Sequence, residues 1–155
     1  RVASDFRAIC TALNAYYIDH NTFIPDMGIS NDEYKSYRFL TTPIAYLSSV
    51  EMTRDPFTAK AGRADQPFQE TYYAYGDGTW GGNPEGRQVY MEAGAGFILQ
   101  SYGPARGRTF PWTDDAVMAL GKRLPASDLW LYDLTNGVVS EGDILATMGG
   151  IQNSL

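Results

Sequence analysis

Two side chains in the sequence could do chemistry on their own, and each is the only one of its type. His20 is the single imidazole and could act as a general base, and Cys10 is the single thiol and could act as a nucleophile. His20 lies at the end of a predicted helix, where a histidine interacts favourably with the helix dipole. Cys10 lies midway along the same helix, a position typical of a small, partly buried side chain. We therefore predict structural roles for both residues.

Other motifs that could support catalysis lack the spacing that the chemistry requires. The sequence has no G-x-S-x-G elbow to present a nucleophilic serine. Neighbouring carboxylates occur at Asp32-Glu33 and Asp114-Asp115, but adjacent side chains point apart on a helix and cannot set a glycosidase geometry. The Gly-rich ranges 76–86 and 94–96 are not followed by the Lys-Ser/Thr pair of a phosphate-binding loop. We predict that the protein is not an enzyme.

The charge of the chain is negative and unevenly distributed. Its 155 residues include 12 basic and 18 acidic side chains, a net charge of −6, which argues against nucleic acid or an anionic membrane surface as the main partner. Residues 124–155 contain no Lys or Arg, and their acidic residues are Asp128, Asp133, Glu141 and Asp143. A hard cation would bind in this segment if one binds anywhere, and ordinary surface charge is the alternative.

An amphipathic helix is predicted over residues 1–20. Apolar side chains recur at three- and four-residue steps and should cover a sheet with one face: Val2, Phe6, Ile9, Leu13 and Tyr16. A flank of small residues would let another helix approach closely: Ala8, Ala12 and Ala15. The helix should end near His20-Asn21, before Pro25. Because no capping residue precedes Val2, the pattern suggests a helix cut from a longer one.

The rest of the chain predicts short helices followed by strands. We expect a helix from Pro43 to Ser48 and another that starts at Thr113 and ends near Lys122-Arg123. Strands are predicted at these ranges: 70–76, 87–92, 96–104, 129–134 and 138–140. The predicted fold class is α+β, with a long N-terminal helix packed on a C-terminal antiparallel sheet of three or four strands. The range 1–155 should form a single domain.

Short motifs occur in a particular order along these predicted helices and strands. They are Ala15-Tyr16-Tyr17, His20-Asn21, Leu40-Thr41-Thr42-Pro43, Asp55-Pro56-Phe57, Tyr72-Tyr73-Ala74-Tyr75-Gly76, Ser101-Tyr102-Gly103-Pro104 and the tail from Tyr132 to Ile144. In this order and spacing the sequence resembles the type IV pilin-like proteins, specifically the major pseudopilins of type II secretion systems. The fold that this resemblance implies is a pilin-like roll, in which the sheet wraps the N-terminal helix.

The resemblance implies a structural function in the bacterial cell envelope. Such subunits are made with a cleavable leader and a longer N-terminal helix, whose apolar first half spans the inner membrane and later forms the filament core. The domain would lie in the periplasm and touch the membrane only through that segment. Its partners would be further copies of itself, other pseudopilins and the inner-membrane secretion machinery. Polymerisation would drive protein secretion, with the alanine flank and the acidic C-terminal loop in contact with other subunits.

The resemblance also implies a possible cofactor, because major pseudopilins carry calcium in their C-terminal loop. The oxygen-bearing residues of the corresponding region are Asp133, Asn136, Ser140 and Asp143. After SYGP the family often has an Asp, whereas this chain has two cations in the range 105–108. The alternative is that Asp133 and Asn136 make turn hydrogen bonds and that Asp143 caps a helical turn over residues 144–148.

A second function class rests on the aromatic residues in or beside predicted turns. They are Tyr72, Tyr73, Tyr75, Trp80, Tyr90, Trp112 and Trp130. Exposed rings of this kind stack on sugars, so a secreted carbohydrate-binding or adhesive module is the alternative function. In the competing interpretation the strand tyrosines pack against the helix, and Trp80 and Trp112 fix loops.

Overall fold

The fold is α+β, as the sequence predicts. The computed structural model describes residues 1–27, 33–57, 72–79, 84–104, 110–122, 124, 131–132 and 142–152. Within these ranges the helices are α1 (Val2–His20), α2 (Glu33–Tyr37), α3 (Pro84–Glu92) and α4 (Asp114–Gly121), with 3-10 turns at Arg38–Leu40 and Val50–Thr53. The strands are β1 (Ala74–Gly76), β2 (Ile98–Ser101), β3 (Ile144–Thr147) and β4 (Gly150–Gln152). No helix in the described part of the chain is both long and apolar enough to cross a bilayer.

The four strands form one antiparallel sheet in the order β1-β2-β3-β4. One row of paired residues crosses the whole sheet: Tyr75, Leu99, Ala146 and Ile151. This row packs into the same core as α1, whereas Ile98 and Leu145 in the neighbouring rows pack into a second core with α3 and α4. Because successive side chains of a strand point to opposite faces, the sheet carries helices on both sides.

Helix α1 covers the first face. Val2, Phe6, Ile9 and Leu13 are buried, so the predicted stripe lies against the sheet for most of its length. Tyr16, the fifth residue of the predicted face, is only partly buried and packs at the edge of this core. The helix ends where the sequence predicts, because Asn21 adopts a left-handed conformation and donates its backbone N–H to the Tyr17 carbonyl at 2.7 Å.

Helices α3 and α4 cover the second face, which the sequence analysis left without a helix. The predicted strand over residues 87–92 is wrong, because this range lies in α3. Pro84 suits the first turn of a helix, and the Gln88 amide donates to the Glu92 carboxylate one turn later at 2.6 Å. Tyr90 is buried among the α4 side chains. The sheet therefore carries α1 on one face and α3 with α4 on the other.

Two other predicted helical segments are not helical. Over residues 43–48 the backbone N–H groups of Tyr46 and Leu47 both donate to the Leu40 carbonyl at 2.8 Å, which forms a turn in place of helix bonds. Residues 144–147 form strand β3 instead of a helical turn, because they pair along their length with β2. Helix α4, in contrast, begins after Thr113 as predicted, since the Thr113 hydroxyl accepts a hydrogen bond from the Ala116 N–H.

The predicted strand at 129–134 is described only at Leu131 and Tyr132. Leu131 forms an isolated parallel bridge with Asp143, so these two residues do not extend the antiparallel sheet. The predicted strand at 138–140 lies outside the described residues.

Candidate functional site

Asp143 is the one member of the predicted calcium set that the structure describes. Its side chain is fully buried, and its Oδ2 accepts hydrogen bonds from Gln100 Nε2 at 2.5 Å and from the Phe110 backbone N–H at 2.7 Å. Gln100 is itself oriented by Trp112, whose indole N–H donates to Gln100 Oε1 at 2.7 Å. These side chains form a buried polar network on the α3–α4 side of the sheet. Asp143 therefore has an internal structural role, and the alternative that it caps a helical turn is wrong because β3 follows it.

The backbone around Asp143 brings together the two ends of residues 133–141. The Tyr132 N–H donates to the Asp143 carbonyl at 2.8 Å, beside the bridge from Leu131. Gly142 permits this close approach, since a Cβ at that position would lie 2.1 Å from the Leu131 carbonyl oxygen.

The other predicted calcium residues, Asp133, Asn136 and Ser140, lie outside the described residues. No group of three or more acidic, His or Cys side chains in the described ranges could hold a metal ion. The buried Oδ2 of Asp143 is already directed at two protein donors. Calcium binding by this segment stays a prediction.

The alanine flank of α1 is smaller than the sequence predicts. Ala12 is only 2% exposed and belongs to the core of this chain, so it cannot face another subunit. It follows Ile9 by three residues, which places it beside the buried stripe at the helical repeat. Ala8 and Ala15 are partly buried. Ile18 of α1 is an apolar side chain that is 80% exposed.

His20 and Tyr46 form an exposed cluster at the end of α1. The Tyr46 hydroxyl donates to Asp19 Oδ2 at 2.7 Å and lies 3.3 Å from His20 Nε2. The His20 ring also packs on Tyr16, with 4.1 Å between ring centroids. Chiefly through its hydrogen bond to Asp19, the pKa of Tyr46 is raised to about 12, so the phenol stays protonated at neutral pH. The cluster connects the segment after Leu40 to the end of α1.

Cys10 lies in the core beneath α1. Its thiol is 3.9 Å from the Thr147 carbonyl oxygen on β3. Burial raises the pKa of Cys10 to about 11, which keeps the sulfur in the unreactive thiol form at neutral pH.

The sequence analysis missed a partly buried ion pair that connects both layers. Asp77 is fully buried and accepts from Arg87 Nη2 at 2.6 Å, while Arg87 Nη1 donates to the Thr22 hydroxyl at 2.5 Å. The pair thus joins the end of β1, the middle of α3 and the segment after α1. Gly78 and Gly86 allow the backbones to meet here, since a Cβ on Gly86 would lie 2.0 Å from the Gly78 carbonyl oxygen. The sequence signal that could have indicated this close approach is the pair Gly76 and Gly86, which flank residues 77–85.

The aromatic residues that suggested sugar binding are mainly internal where they are described. Tyr73, Tyr75 and Tyr90 are buried, and the Tyr75 hydroxyl donates to the Ile24 carbonyl at 2.8 Å. Tyr72 and Trp112 are partly buried. Trp80 and Trp130 lie outside the described residues. The three buried rings cannot form an exposed stacking platform, so this interpretation would need the remaining members of the set.

An open groove on the α1 side was also missed. It has a volume of about 340 Å³ and is lined by Met27, Lys35, Arg38, Phe39 and Thr42. Met27 is 41% exposed and Phe39 is 38% exposed, so the groove shows apolar surface to solvent, and its lining also includes Lys35 and Arg38. The sequence carried no periodic signal here, because the groove is built from a helix of five residues and its flanking turns.

Within the described residues, the surface includes an open groove lined by apolar and cationic side chains, and the exposed side of α1. The chain matches no family model, no curated protein and no solved structure.

Proposed function

We propose that the chain is the globular part of a structural filament subunit, similar to the major pseudopilins of type II secretion. Such a subunit acts by polymerisation: helices pack in the filament core, and growth of the filament moves secreted proteins outward. One observation carries the proposal. A 19-residue helix lies against a C-terminal antiparallel sheet through a buried stripe of Val2, Phe6, Ile9 and Leu13, with its opposite side exposed.

The contacts of α1 suit a helix that transmits force to a globular head. At its start, the Phe6 ring meets Tyr73 edge-on at 4.9 Å, and the Tyr73 hydroxyl donates to Asp5 Oδ2 at 2.7 Å. At its end, Tyr17 stacks on Phe23 at 4.6 Å. Each fully buried apolar side chain contributes roughly 1.5–3 kcal/mol. Because these contacts are spread over the helix, an axial load would act on all of them together, and the head would move with the helix.

In this proposal the domain lies in the periplasm of a bacterial cell envelope and is anchored to the inner membrane before assembly. Its neighbours are copies of itself, other pseudopilins and the secretion machinery. Calcium bound by the C-terminal segment would stabilise the head. The protein performs no catalysis in this role, since work comes from the addition of subunits.

The experiment is to express the complete reading frame that encodes this chain in bacteria with a prepilin peptidase and a type II secretion system. Filaments sheared from the cells are collected and probed for the chain, and its N-terminus is determined by mass spectrometry. We expect cleavage after a leader that ends in Gly and recovery of the chain in the sheared filaments. The matched control is the 155-residue chain behind an ordinary signal peptide, which should remain unassembled.

An N-terminus produced by an ordinary signal peptidase, together with a chain that stays out of the filament fraction, would contradict the proposal. That result would favour the secreted carbohydrate-binding or adhesive module. A glycan array with the purified chain would then test sugar binding directly.

A further inference from the structure

Helix α3 is held to the rest of the fold in different ways at its two ends. In its second half Tyr90 is buried, and Ala93 is buried just beyond the helix, in the core that α3 shares with α4. In its first half Glu85 is exposed, and Gly86 and Arg87 are only partly buried. None of these last three residues belongs to that core. Apolar burial therefore fixes the end of α3, and a different interaction must fix its beginning.

The beginning of α3 is fixed by Arg87. Its guanidinium donates to Asp77 Oδ2 from Nη2 at 2.6 Å and from Nε at 3.2 Å, and its Nη1 donates to the Thr22 hydroxyl at 2.5 Å. Hydrogen bonds between charged groups are shorter and stronger than those between neutral ones. Arg87 thus connects α3 to the end of β1 and to the segment after α1.

The Asp77 carboxylate is buried and oriented toward this arginine. Asp77 is fully buried, whereas the Arg87 side chain is 31% exposed. The second carboxylate oxygen, Oδ1, accepts from the Thr79 N–H at 3.0 Å and from the Thr79 hydroxyl at 2.5 Å. Because burial removes the water that would solvate the charge, loss of the cation is costly for such a carboxylate. Asp77 therefore holds Arg87 more strongly than an exposed partner would.

The other end of α3 offers a place where the chain can turn. Gly94, two residues beyond the helix, has a φ of 73°, which side chains rarely permit. A Cβ at this position would have no neighbour within 4 Å, so there is open space around it. Between the two ends, Tyr90 reaches the end of β1, since a Cβ on Gly76 would lie 3.2 Å from the Tyr90 hydroxyl. Movement of α3 about Gly94 would therefore uncover Tyr90 and the end of β1.

We propose that α3 is a lid over the second core, with Arg87, Asp77 and Thr22 as its latch and Gly94 as its hinge. When the latch breaks, the helix is released from the end of β1 and from the segment after α1, while α1 stays packed on the sheet. The latched end opens first, because apolar burial holds only the other end. Such a local opening needs less free energy than unfolding of the whole domain. The inference goes beyond the proposed function, since it concerns motion within one molecule.

The test is amide hydrogen exchange of the 155-residue chain, followed residue by residue by NMR. In the wild-type chain the α3 amides should exchange faster than the α1 amides between Phe6 and Leu13. Arg87→Met removes the guanidinium and keeps the apolar stem, and it should speed exchange in α3 about thirtyfold, because it leaves a buried carboxylate without its cation. Thr22→Val removes one hydroxyl acceptor and should speed exchange in α3 about fivefold, which keeps the test decisive if Arg87→Met does not fold.

Two further variants serve as controls. Gln88→Ala removes the exposed hydrogen bond to Glu92 within α3 and should speed exchange there only about twofold. Ile9→Val weakens the packing of the buried α1 stripe and should speed exchange in α1 about fivefold. It should leave exchange in α3 nearly unchanged, because α1 is packed in both the closed and the open state of the lid.

The inference is overturned if the α3 and α1 amides exchange with the same protection in the wild-type chain, or if Ile9→Val speeds both helices equally. Either result would show that α3 opens only when the whole domain unfolds. It is also overturned if the folded latch variants change exchange in α3 no more than Gln88→Ala does. The filament experiment has a separate outcome, because recovery of the chain in sheared filaments does not depend on how fast α3 opens.

Discussion

The two faces of the sheet are covered in different ways. On the α1 side, one continuous helix packs through large rings and aliphatic side chains, with Phe23 edge-on to Phe97 at 5.1 Å. On the other side, two short helices approach closely, since a Cβ on Gly121 would lie 2.4 Å from the Ala93 carbonyl oxygen. The second face also buries the side-chain network of Trp112, Gln100 and Asp143. Large interdigitating side chains thus stabilise the first face, and close backbone approach with a buried hydrogen-bond network stabilises the second.

The largest expected change in unfolding free energy comes from the same substitution made on each face. Leu13 and Leu120 are both buried, the first under α1 and the second in α4. We expect Leu13→Ala to lower the free energy of unfolding by about 4 kcal/mol and Leu120→Ala by about 3 kcal/mol, because a site among small residues collapses more fully around a cavity. Urea denaturation followed by circular dichroism measures both. The reverse order would contradict the comparison.

The polar network should make the second face sensitive to loss of one carboxylate. Asp143→Ala leaves the Gln100 amide and the Phe110 N–H without their acceptor, and we expect a loss of about 3 kcal/mol in unfolding free energy. Asp143→Asn keeps an acceptor oxygen and should cost less. On the α1 side, Tyr37→Phe removes one buried hydrogen bond, to the Tyr73 carbonyl, and should cost about 1 kcal/mol. Equal losses of unfolding free energy for Asp143→Ala and Tyr37→Phe would show that the two faces do not differ in their dependence on buried polar groups.

A third difference concerns ionisation on the α1 side. The pKa of Cys10 rises from 9.0 to about 11 on folding, so between these values the unfolded chain has lost a proton that the folded chain retains. Stability contributed by the thiol is therefore fully present below pH 9 and is lost as the pH rises through 11, by about 3 kcal/mol.

The measurement for Cys10 is the difference between wild type and Cys10→Ala in urea melts at several alkaline pH values, because other groups titrate in both proteins and cancel. A thiol reagent at pH 8 should also modify the unfolded chain much faster than the folded one. A difference between the two proteins that does not vary with pH would show that burial does not shift this pKa.

Local patterns were enough to predict part of the structure. Apolar spacing along residues 1–20 predicted the buried stripe and the end of α1, because both depend on residues three to four positions apart. The Thr113 cap predicted the start of α4 for the same reason. The α+β class followed from one long amphipathic helix and a strong strand at β2.

Other features depended on residues distant in sequence. Residues 87–92 formed a helix although their composition suggested a strand, because α3 packs against α4 and covers a face that would otherwise be open. Ala12 belongs to the core that also holds Tyr37 and Leu40, which lie far along the chain from α1.

The sequence by itself determined the periodic face of α1, the end of α1, the start of α4 and the acidic, lysine-free C-terminal segment. Only the tertiary structure decided that Asp143 lies inside the fold, since its hydrogen-bond partner Gln100 is 43 positions away. Only the tertiary structure joined Arg87 of α3 to Asp77 and Thr22, which lie in two other segments of the chain. Periodicity reports which residues share a face of one element, whereas the pairing of faces is set by packing between elements across the whole chain.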